Sequence, residues 1–461
     1  MQAAVSAGHP ATVDAGIELL EDGGSAADAA VGASLASCVA ETVMTGLLGG
    51  GHAIYLDAAT GRARNLDCFV AVPGIGAQPR EAELLELDVV FGNATVHYSV
   101  GIASCGVPGV PAGLAALHEA HGRLPWERVV EPAMRLAGDG VEFPRAHAAC
   151  LAMLEPVMTM NEGARIYAPG GELLPEGGRL EQPGLVRALE IVAAEGPRSA
   201  YDGELADALL ALMDERGGLV TRGDLHAYEA RWSDPLEVPY AGARFLTRGG
   251  LSDLADLLPR LPRLRGLSPA ARALALARTL DAPDGEGHTT NLTVVDPEGS
   301  ACVLTTSLGL GSGDFVPGLD LHLNSMLGET DLVRGPLRPG DRMGSMMAPS
   351  VALDGSGVML AAGAAGGTRL RSAMLQVVSG ILDEELDAEA AVARPRLHGA
   401  AGAIELEPGL GDDVAPALEE VGYEVRAWPE RHHYFGGVSV VTRDGCAGDP
   451  RRSGAARALP S

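Results

Sequence analysis

The hydrophobic pattern of this chain changes from helical to strand-like at about residue 289, and this change constrains the fold more than any other feature. Before it, residues 129–137, 185–194 and 204–216 carry apolar side chains at spacings i, i+3 and i+4, which is typical of helices with one buried face. After it, residues 291–295 and 301–308 flank an Asp-Pro-Glu-Gly turn and predict a β-hairpin. We therefore expect helices to dominate the first 288 residues and strands to begin in earnest after them.

Two cap signals predict the first helices. Thr12 is predicted to cap a helix that ends at a Gly-Gly pair, residues 23–24. Ser25 followed by Asp28 is a capping-box pattern, which predicts a second helix from Ala26 to about Val39. This second helix is almost entirely small and apolar, so we expect it to be buried on most sides.

The ionisable side chains exclude several classes of protein. The chain contains no lysine, so its 34 basic residues are all arginine. This excludes a Schiff-base lysine and the lysine of a nucleotide-binding P-loop. The formal net charge of −27 argues against nucleic acid as a partner and suits a protein that acts on small molecules.

Hydropathy and cysteine spacing bear on the compartment. No apolar run reaches the roughly 18 residues of a membrane helix, and the N-terminus lacks the basic and apolar regions of a signal peptide. We expect no membrane partner and a cytoplasmic location, or an extracytoplasmic one if the true start lies upstream. The six cysteines form no Cys-x-x-Cys pair, which argues against a zinc or redox motif and favours reduced thiols.

The segment HTTNLTVVD, from His288 to Asp296, is the most informative for chemistry. It puts Thr289 and Thr290 where a Gly-rich loop meets the start of a strand. A hydroxyl at that point is held rigidly, and the loop before it can be cut without unravelling the sheet. The spacing alone, however, is equally that of ordinary threonines in a strand.

Further blocks of sequence decide between these interpretations. They are HPATVDAGIELLEDGGSAADAAV, GLLGGG, CGVPGVPAGL, GRLPWERVVEPAMRLA, GGLVTRGDLHAYEARWSDPL, TTNLTVVDPEGSACV, APSVALDGSG, GAAGGTR and ARPRLHG. In this order, over nearly the whole chain, they resemble the γ-glutamyltransferase family of N-terminal-nucleophile hydrolases. The resemblance implies an α+β fold, a four-layer αββα sandwich with two stacked sheets between helices.

The resemblance also implies a precursor that cuts itself between His288 and Thr289. Residues 1–288 would form a large subunit and residues 289–461 a small one, with one shared globular core. The freed α-amine of Thr289 would have a pKa of roughly 7.7–8.0, so it can accept the proton of its own hydroxyl near neutral pH. One residue would then be both nucleophile and base.

Two further catalytic elements follow from the same resemblance. Gly366 and Gly367 match the family's glycine pair that stabilises the oxyanion. They lie between a predicted strand and a predicted helix, where backbone N–H groups favour negative charge. Ser307 matches a second hydroxyl that contacts the nucleophile, and Thr306 is the candidate if the alignment slips by one residue.

The largest departure from the family is Phe69. It stands where the family has the arginine that binds the α-carboxylate of a γ-glutamyl group. An aromatic ring cannot form the bidentate contact that arginine makes with a carboxylate. A γ-glutamyl substrate would therefore need another cation, and Arg342 and Arg369 lie in nearby matched segments.

Other predicted substrate-binding positions are kept or changed individually. Asn324 and Glu329 belong to the segment whose acid binds the substrate's α-amine, with Glu329 one position late. Ser345 remains from a serine pair whose second member is Met346. The family's asparagine two residues after the second hydroxyl is replaced by Gly309.

Together these observations predict a self-processing hydrolase or acyltransferase that cleaves an amide through a threonyl ester and uses no metal ion or organic cofactor. Its partner would be a small amide or peptide, with γ-glutamyl compounds such as glutathione as one substrate class. One alternative is an amidase for a non-γ-glutamyl acyl group. Another, suggested by the shortened region 251–287 and the lost recognition residues, is an unprocessed relative with a binding role and no catalysis.

Overall fold

The computed structural model describes residues 2–77, 82–91, 94–280, 289–333, 335–400 and 402–460. His288, one side of the predicted cleavage site, lies outside these residues.

The strands, in chain order, are β1 Ala4–Ala7, β2 Gly50–Asp57, β3 Arg62–Cys68, β4 Leu85–Phe91, β5 Ala94–Val100, β6 Val141–Glu142, β7 Arg179–Leu180, β8 Arg231–Ser233, β9 Leu236–Tyr240, β10 Ala243–Thr247, β11 Thr290–Val295, β12 Ala301–Ser307, β13 Phe315–Val316, β14 Leu321–His322, β15 Ser350–Asp354, β16 Gly357–Ala365, β17 Leu397–Ala400, β18 Ala403–Leu406, β19 Glu424–Ala427, β20 Gly437–Thr442, β21 Gly445–Ala447 and β22 Ala455–Ala458.

The α-helices are α1 Pro10–Glu21, α2 Ala26–Ala40, α3 Val110–His121, α4 Trp126–Asp139, α5 Arg145–Met158, α6 Gly163–Tyr167, α7 Pro183–Glu195, α8 Glu204–Arg216, α9 Arg222–Ala227, α10 Leu254–Leu257, α11 Pro269–Leu280, α12 Arg369–Leu382, α13 Ala388–Ala393 and α14 Val414–Glu420.

Two antiparallel sheets form the centre of the molecule. The first has seven strands in the order β22-β1-β11-β12-β2-β3-β8, and the second has six in the order β21-β20-β16-β15-β10-β9. Both sheets mix strands from before and after residue 289. The expectation that strands begin in earnest only after residue 288 is therefore wrong. The early strand β1 is short and wholly buried, with Ser6 as its one polar residue, so it lacks the alternation that identifies a half-buried strand.

The two sheets face each other across an apolar layer, and helices cover their outer faces. Side chains such as Ile54 and Val303 from the seven-stranded sheet meet Val351 and Ala361 from the six-stranded sheet. A second cluster packs α1–α4, α7 and α8 onto the first sheet, and a third packs α10–α14 onto the second. The predicted four-layer αββα sandwich is confirmed.

The caps of the first two helices differ in how well the sequence predicted them. Ser25 and Asp28 form the expected capping box at α2, and all of α2 is buried. The N-cap of α1 is His9, whose Nδ1 accepts a hydrogen bond from the Ala11 N–H at 3.0 Å. The prediction that Thr12 caps this helix is wrong, because the Thr12 hydroxyl instead donates to Glu41 at 2.7 Å.

The structure also bears on the state of the cysteines and on membrane-spanning helices. All six cysteines are free thiols, and five are buried. Over the described parts of the chain, no helix is both long and apolar enough to cross a membrane.

Candidate active site

Thr289 directly precedes β11, a central strand of the seven-stranded sheet. Its side chain is buried, and β11 is wholly buried as well. Thr290 pairs with Thr306 of β12, so continuing this register by one residue sets Thr289 opposite Ser307. The position predicted for the nucleophile is thus held by the ladder between β11 and β12.

Thr289 contributes to the wall of a pocket of about 290 Å³. The lining is mostly apolar, with two serine hydroxyls and one carboxyl, and consists of Phe69, Thr289, Ser307, Met326, Glu329, Leu332, Ser345, Met346, Met347, Gly367 and Leu370. Six of the predicted site residues therefore share one pocket. Of the five further apolar side chains, only Met346 was named from the sequence, as the replacement of a serine.

Phe69 closes one side of this pocket and is itself held on both sides. Its ring stacks on His52 with 5.4 Å between centroids. Its carbonyl accepts a hydrogen bond from the Tyr228 hydroxyl at 2.6 Å. Burial, followed by the positive charges of Arg248 and Arg342, lowers the pKa of His52 well below its usual value, so the imidazole behind Phe69 is neutral.

Arg342 and Arg369, the two arginine candidates from the sequence, contact groups outside the pocket lining. The guanidinium of Arg342 packs over the Tyr228 ring at 4.1 Å and lies 3.6 Å from Asp67. Arg369, on α12, packs over the Tyr434 ring at 5.1 Å. Among the residues that the structure describes, no arginine lines the pocket, so neither of the two sequence candidates replaces the one lost at Phe69.

Arg248 is hydrogen bonded to the backbone of a segment that lines the pocket. Its Nη1 donates to the carbonyls of Ser345 and Met347 at 3.2 and 2.8 Å. Burial lowers the pKa of Arg248 to about 10. The predicted site residue Ser345 thus lies on a segment whose backbone is held by a buried cation, and its hydroxyl accepts from the Met347 N–H at 3.3 Å.

The Glu329 carboxyl fills the space beside Gly309. A Cβ on residue 309 would lie 2.4 Å from Glu329 Oε1 and 2.6 Å from Ser325 Oγ. The backbone of Gly309 also has φ +71°, a left-handed conformation that favours glycine. The loss of the family's asparagine at this position and the presence of a buried acid at Glu329 are therefore structurally linked.

Of the two candidates for the second hydroxyl, the structure brings Ser307 and not Thr306 into the pocket. Ser307 lines it with Thr289, and its Oγ accepts from the Gly309 N–H at 2.9 Å. The Thr306 hydroxyl is hydrogen bonded to that of Thr45 at 2.8 Å.

Gly366 and Gly367 connect β16 to α12. Both have positive φ, +130° and +57°. Their carbonyls accept the first hydrogen bonds of the helical turn, from Arg369 and Leu370 at 3.1 Å each. Gly367 lines the pocket with Thr289, whereas Gly366 is not among its lining residues.

Asn324 lies outside the pocket lining, and its amide is bonded to backbone. Its Nδ2 donates to the carbonyls of Leu48 and Gly106, and its Oδ1 accepts from the Gly106 N–H, all at 2.9 Å. This geometry gives Asn324 a structural role and does not support the prediction that it binds substrate.

The sequence reasoning missed Glu41, which follows α2 and is buried. One carboxyl oxygen accepts from Thr12 and the other from Thr290, the residue after the predicted nucleophile. Burial raises the pKa of Glu41 to about 7, although the two hydroxyls and the charge of Arg452 oppose this shift. No motif marks this residue; only its position in an otherwise apolar segment sets it apart.

Comparison with known proteins decides the family. The sequence model described as Gamma-glutamyltranspeptidase matches residues 12–258 and 263–459. The chain belongs to the γ-glutamyltranspeptidase family. It is thus a γ-glutamyltransferase-like N-terminal-nucleophile hydrolase or acyltransferase, as the resemblance implied.

Curated relatives in the γ-glutamyltranspeptidase family fall into two groups by name. The Acylase ACY 1 proenzyme of Pseudomonas sp. (strain SE83) is 28% identical over 94% of this chain and 88% of its own length. The glutathione hydrolase proenzyme of Pseudomonas aeruginosa is 28% identical over 95% of this chain and 91% of its own length. Sequence identity therefore does not separate the two groups.

A solved structure shows the same fold. The cephalosporin acylase from Bacillus halodurans superposes with a TM-score of 0.83 and 22% identity, covering 100% of this chain and 96% of the acylase chain. At this identity the match establishes the fold alone.

Proposed function

We propose that this member of the γ-glutamyltranspeptidase family is a self-processing acylase that hydrolyses amides of apolar acyl groups through Thr289. The observation that carries the proposal is the pocket in which Thr289, Ser307 and Gly367 meet a largely apolar wall. These three residues supply the groups that acyl transfer by a terminal threonine requires.

Processing comes first in this account. A water molecule adds across the peptide bond between residues 288 and 289, which leaves a carboxylate on His288 and a free α-amine on Thr289. Because β11 is fixed by its neighbours on both sides, the new terminus stays in place after the cut. Residues 1–288 and 289–461 remain together because both central sheets contain strands from each.

Catalysis then uses the new terminus. The Thr289 hydroxyl attacks the amide carbonyl while the α-amine takes its proton, and Gly367 at the start of the α12 turn is the candidate donor to the oxyanion. The amine then protonates the leaving group, and an ester on Thr289 remains. Water attacks this ester to release the acid, or a second amine attacks it and completes a transfer.

The pocket wall determines which acyl group binds. Phe69, Met346, Met347 and Leu370 favour an apolar group, since burying apolar surface contributes about 25 cal/mol per Å². A γ-glutamyl group would bring its α-carboxylate against these side chains, and an unpaired buried charge there costs several kcal/mol. The acylase relative supports an acylase activity.

A second candidate is hydrolysis of γ-glutamyl compounds, including glutathione. Glu329 favours it, because a buried carboxyl in the pocket is suited to an α-ammonium group. The glutathione hydrolase relative also supports it.

Parallel assays separate the two candidates. The purified protein is given γ-glutamyl-p-nitroanilide and a series of p-nitroanilides of straight-chain and phenylacetyl acids. The proposal predicts that kcat/KM for the best apolar substrate exceeds that for the γ-glutamyl compound by at least about tenfold. Equal or better turnover of the γ-glutamyl compound would reject the apolar assignment and favour the second candidate.

A further inference from the structure

A second enclosed space borders Thr289 and is lined differently from the substrate pocket. Glu41, His147 and Arg452 contribute to its wall together with Thr289 and Thr290. Its volume is about 300 Å³, close to that of the substrate pocket. The two spaces differ in their linings, because this one has four ionisable side chains in its wall, whereas the substrate pocket has only Glu329 among the residues that the structure describes.

The carboxyl of Glu41 is fixed inside this space from two directions. Thr12 of α1 and Thr290 each donate a hydroxyl hydrogen bond to it. Gly8 leaves the space that these two side chains occupy. A Cβ at that position would lie 2.2 Å from Glu41 Oε2 and 3.0 Å from Thr290 Oγ1. The contact between Glu41 and Thr290 thus depends on a glycine that leaves room for it.

The ionisable neighbours of Glu41 include side chains after β21 and on α5. Arg452, after β21, is buried and attracts the carboxylate, whereas Asp449 in the same wall is paired with Arg396 and Arg451. Burial lowers the pKa of His147, on α5, to about 3, so the ring carries no charge near neutral pH.

The remaining titratable neighbour is on α2 itself. Burial raises the pKa of the Cys38 thiol to about 12, so this group is neutral as well. Glu41 is therefore the side chain on this wall that changes charge near neutral pH.

We propose that Glu41 is a positioning residue for Thr289, holding the Thr290 hydroxyl and placing a titratable negative charge on the same enclosed space as the terminal amine. This inference rests on the proposed function, because it assigns Glu41 a role in the reaction of Thr289. A carboxylate at this place favours the ammonium form of the amine and so raises its pKa. The amine and the carboxyl then titrate as a coupled pair.

The variant Glu41→Gln keeps the size of the side chain and removes the charge, so it tests the effect of the Glu41 carboxylate on the pH profile. The acidic limb of the kcat/KM profile should move to lower pH by at least about 0.5 unit, because the amine loses a neighbouring negative charge. Glu127→Gln, at an exposed position on α4, is the matched control and should leave the limb in place.

The hydrogen bond from the Thr290 hydroxyl to Glu41 is tested separately, by variants of Thr290. This test can be made even if Glu41→Gln does not fold. Thr290→Val keeps the β-branched shape and removes the hydroxyl, and should lower kcat by about tenfold or more with KM changed less than about threefold. Thr290→Ser restores the hydroxyl and should recover most of the lost rate. A residue with a purely structural role would not give this split or the shift of the pH profile.

The outcomes distinguish this inference from the proposed function. If wild type turns over substrate and Thr289→Ala does not, but the profiles of Glu41→Gln and wild type superpose, the role of Glu41 is rejected and the proposed function stands. A shift to higher pH, or equal rates in Thr290→Val and wild type, would also overturn it. If wild type neither cleaves itself nor turns over any anilide, both proposals are wrong.

Discussion

Gly309 leaves the space that the carboxyl of Glu329 occupies: a Cβ at residue 309 would lie 2.4 Å from Glu329 Oε1. A side chain at residue 309 would therefore displace the Glu329 carboxyl. The pocket therefore has Phe69 in its wall and the Glu329 carboxyl packed against a residue that has no side chain.

The contact predicts a loss of activity in Gly309→Ala. The new methyl group displaces Glu329 and adds the strain of a left-handed alanine, and kcat/KM should fall by at least about tenfold. Gly318→Ala is the matched control, since Gly318 has a similar φ of +74° and a Cβ added there would meet no atom within 4 Å. Its activity should stay within about twofold of wild type; equal losses in both variants would show that strain and not Glu329 is responsible.

Substitutions of Phe69 should change the preference between γ-glutamyl and apolar acyl groups in a defined direction. Phe69→Leu keeps an apolar wall and should retain turnover of apolar acyl-anilides within about tenfold. Phe69→Arg introduces a buried cation and should raise the ratio of γ-glutamyl to apolar kcat/KM by about tenfold or more. An unchanged ratio in Phe69→Arg would mean that residue 69 does not face the acyl group.

Asn324 predicts a loss of stability. Asn324→Ala leaves the backbone groups of Leu48 and Gly106 without their amide partners, at a cost of about 1–3 kcal/mol for each unsatisfied group. The apparent Tm should fall by several degrees, while KM of the folded fraction stays within about twofold of wild type. A raised KM with an unchanged Tm would restore the prediction that Asn324 binds substrate.

The raised pKa of Glu41 leads us to expect that the stability difference between wild type and Glu41→Gln depends on pH. Its pKa is raised from 4.5 to about 7 in the folded protein, so between these values the folded state binds a proton that the unfolded state releases. Stability relative to Glu41→Gln should therefore fall as pH rises through this window, by about 3 kcal/mol in total, or about 3 °C in apparent Tm for a chain of this size. Thermal unfolding of both proteins at pH 5 and pH 8 measures it, and a constant difference would contradict the raised pKa.

The sequence predicted the layered fold and most of the pocket because these depend on local patterns and on ordered motifs. The capping box at Ser25 and the hairpin that begins after Thr289 were correctly located. The early strand β1 was not predicted, because its residues are buried on both faces and do not alternate.

The parts of the site that were missed depend on contacts between distant segments. Glu41 meets Thr290 across 249 positions of sequence, and Arg248 reaches the carbonyl of Met347 across 99. Asn324 has a residue type that fits substrate binding, but its amide is bonded to the backbone of two other loops. Such pairings are properties of the packed molecule and leave no local signal.

The most direct test of the central claim is N-terminal sequencing, together with intact-mass measurement, of the purified protein after incubation. The account predicts two fragments, residues 1–288 and 289–461, the second beginning Thr-Thr-Asn-Leu, and their absence in Thr289→Ala. A fully active protein that remains a single uncut chain of 47.2 kDa would contradict the assignment of Thr289 as a terminal nucleophile.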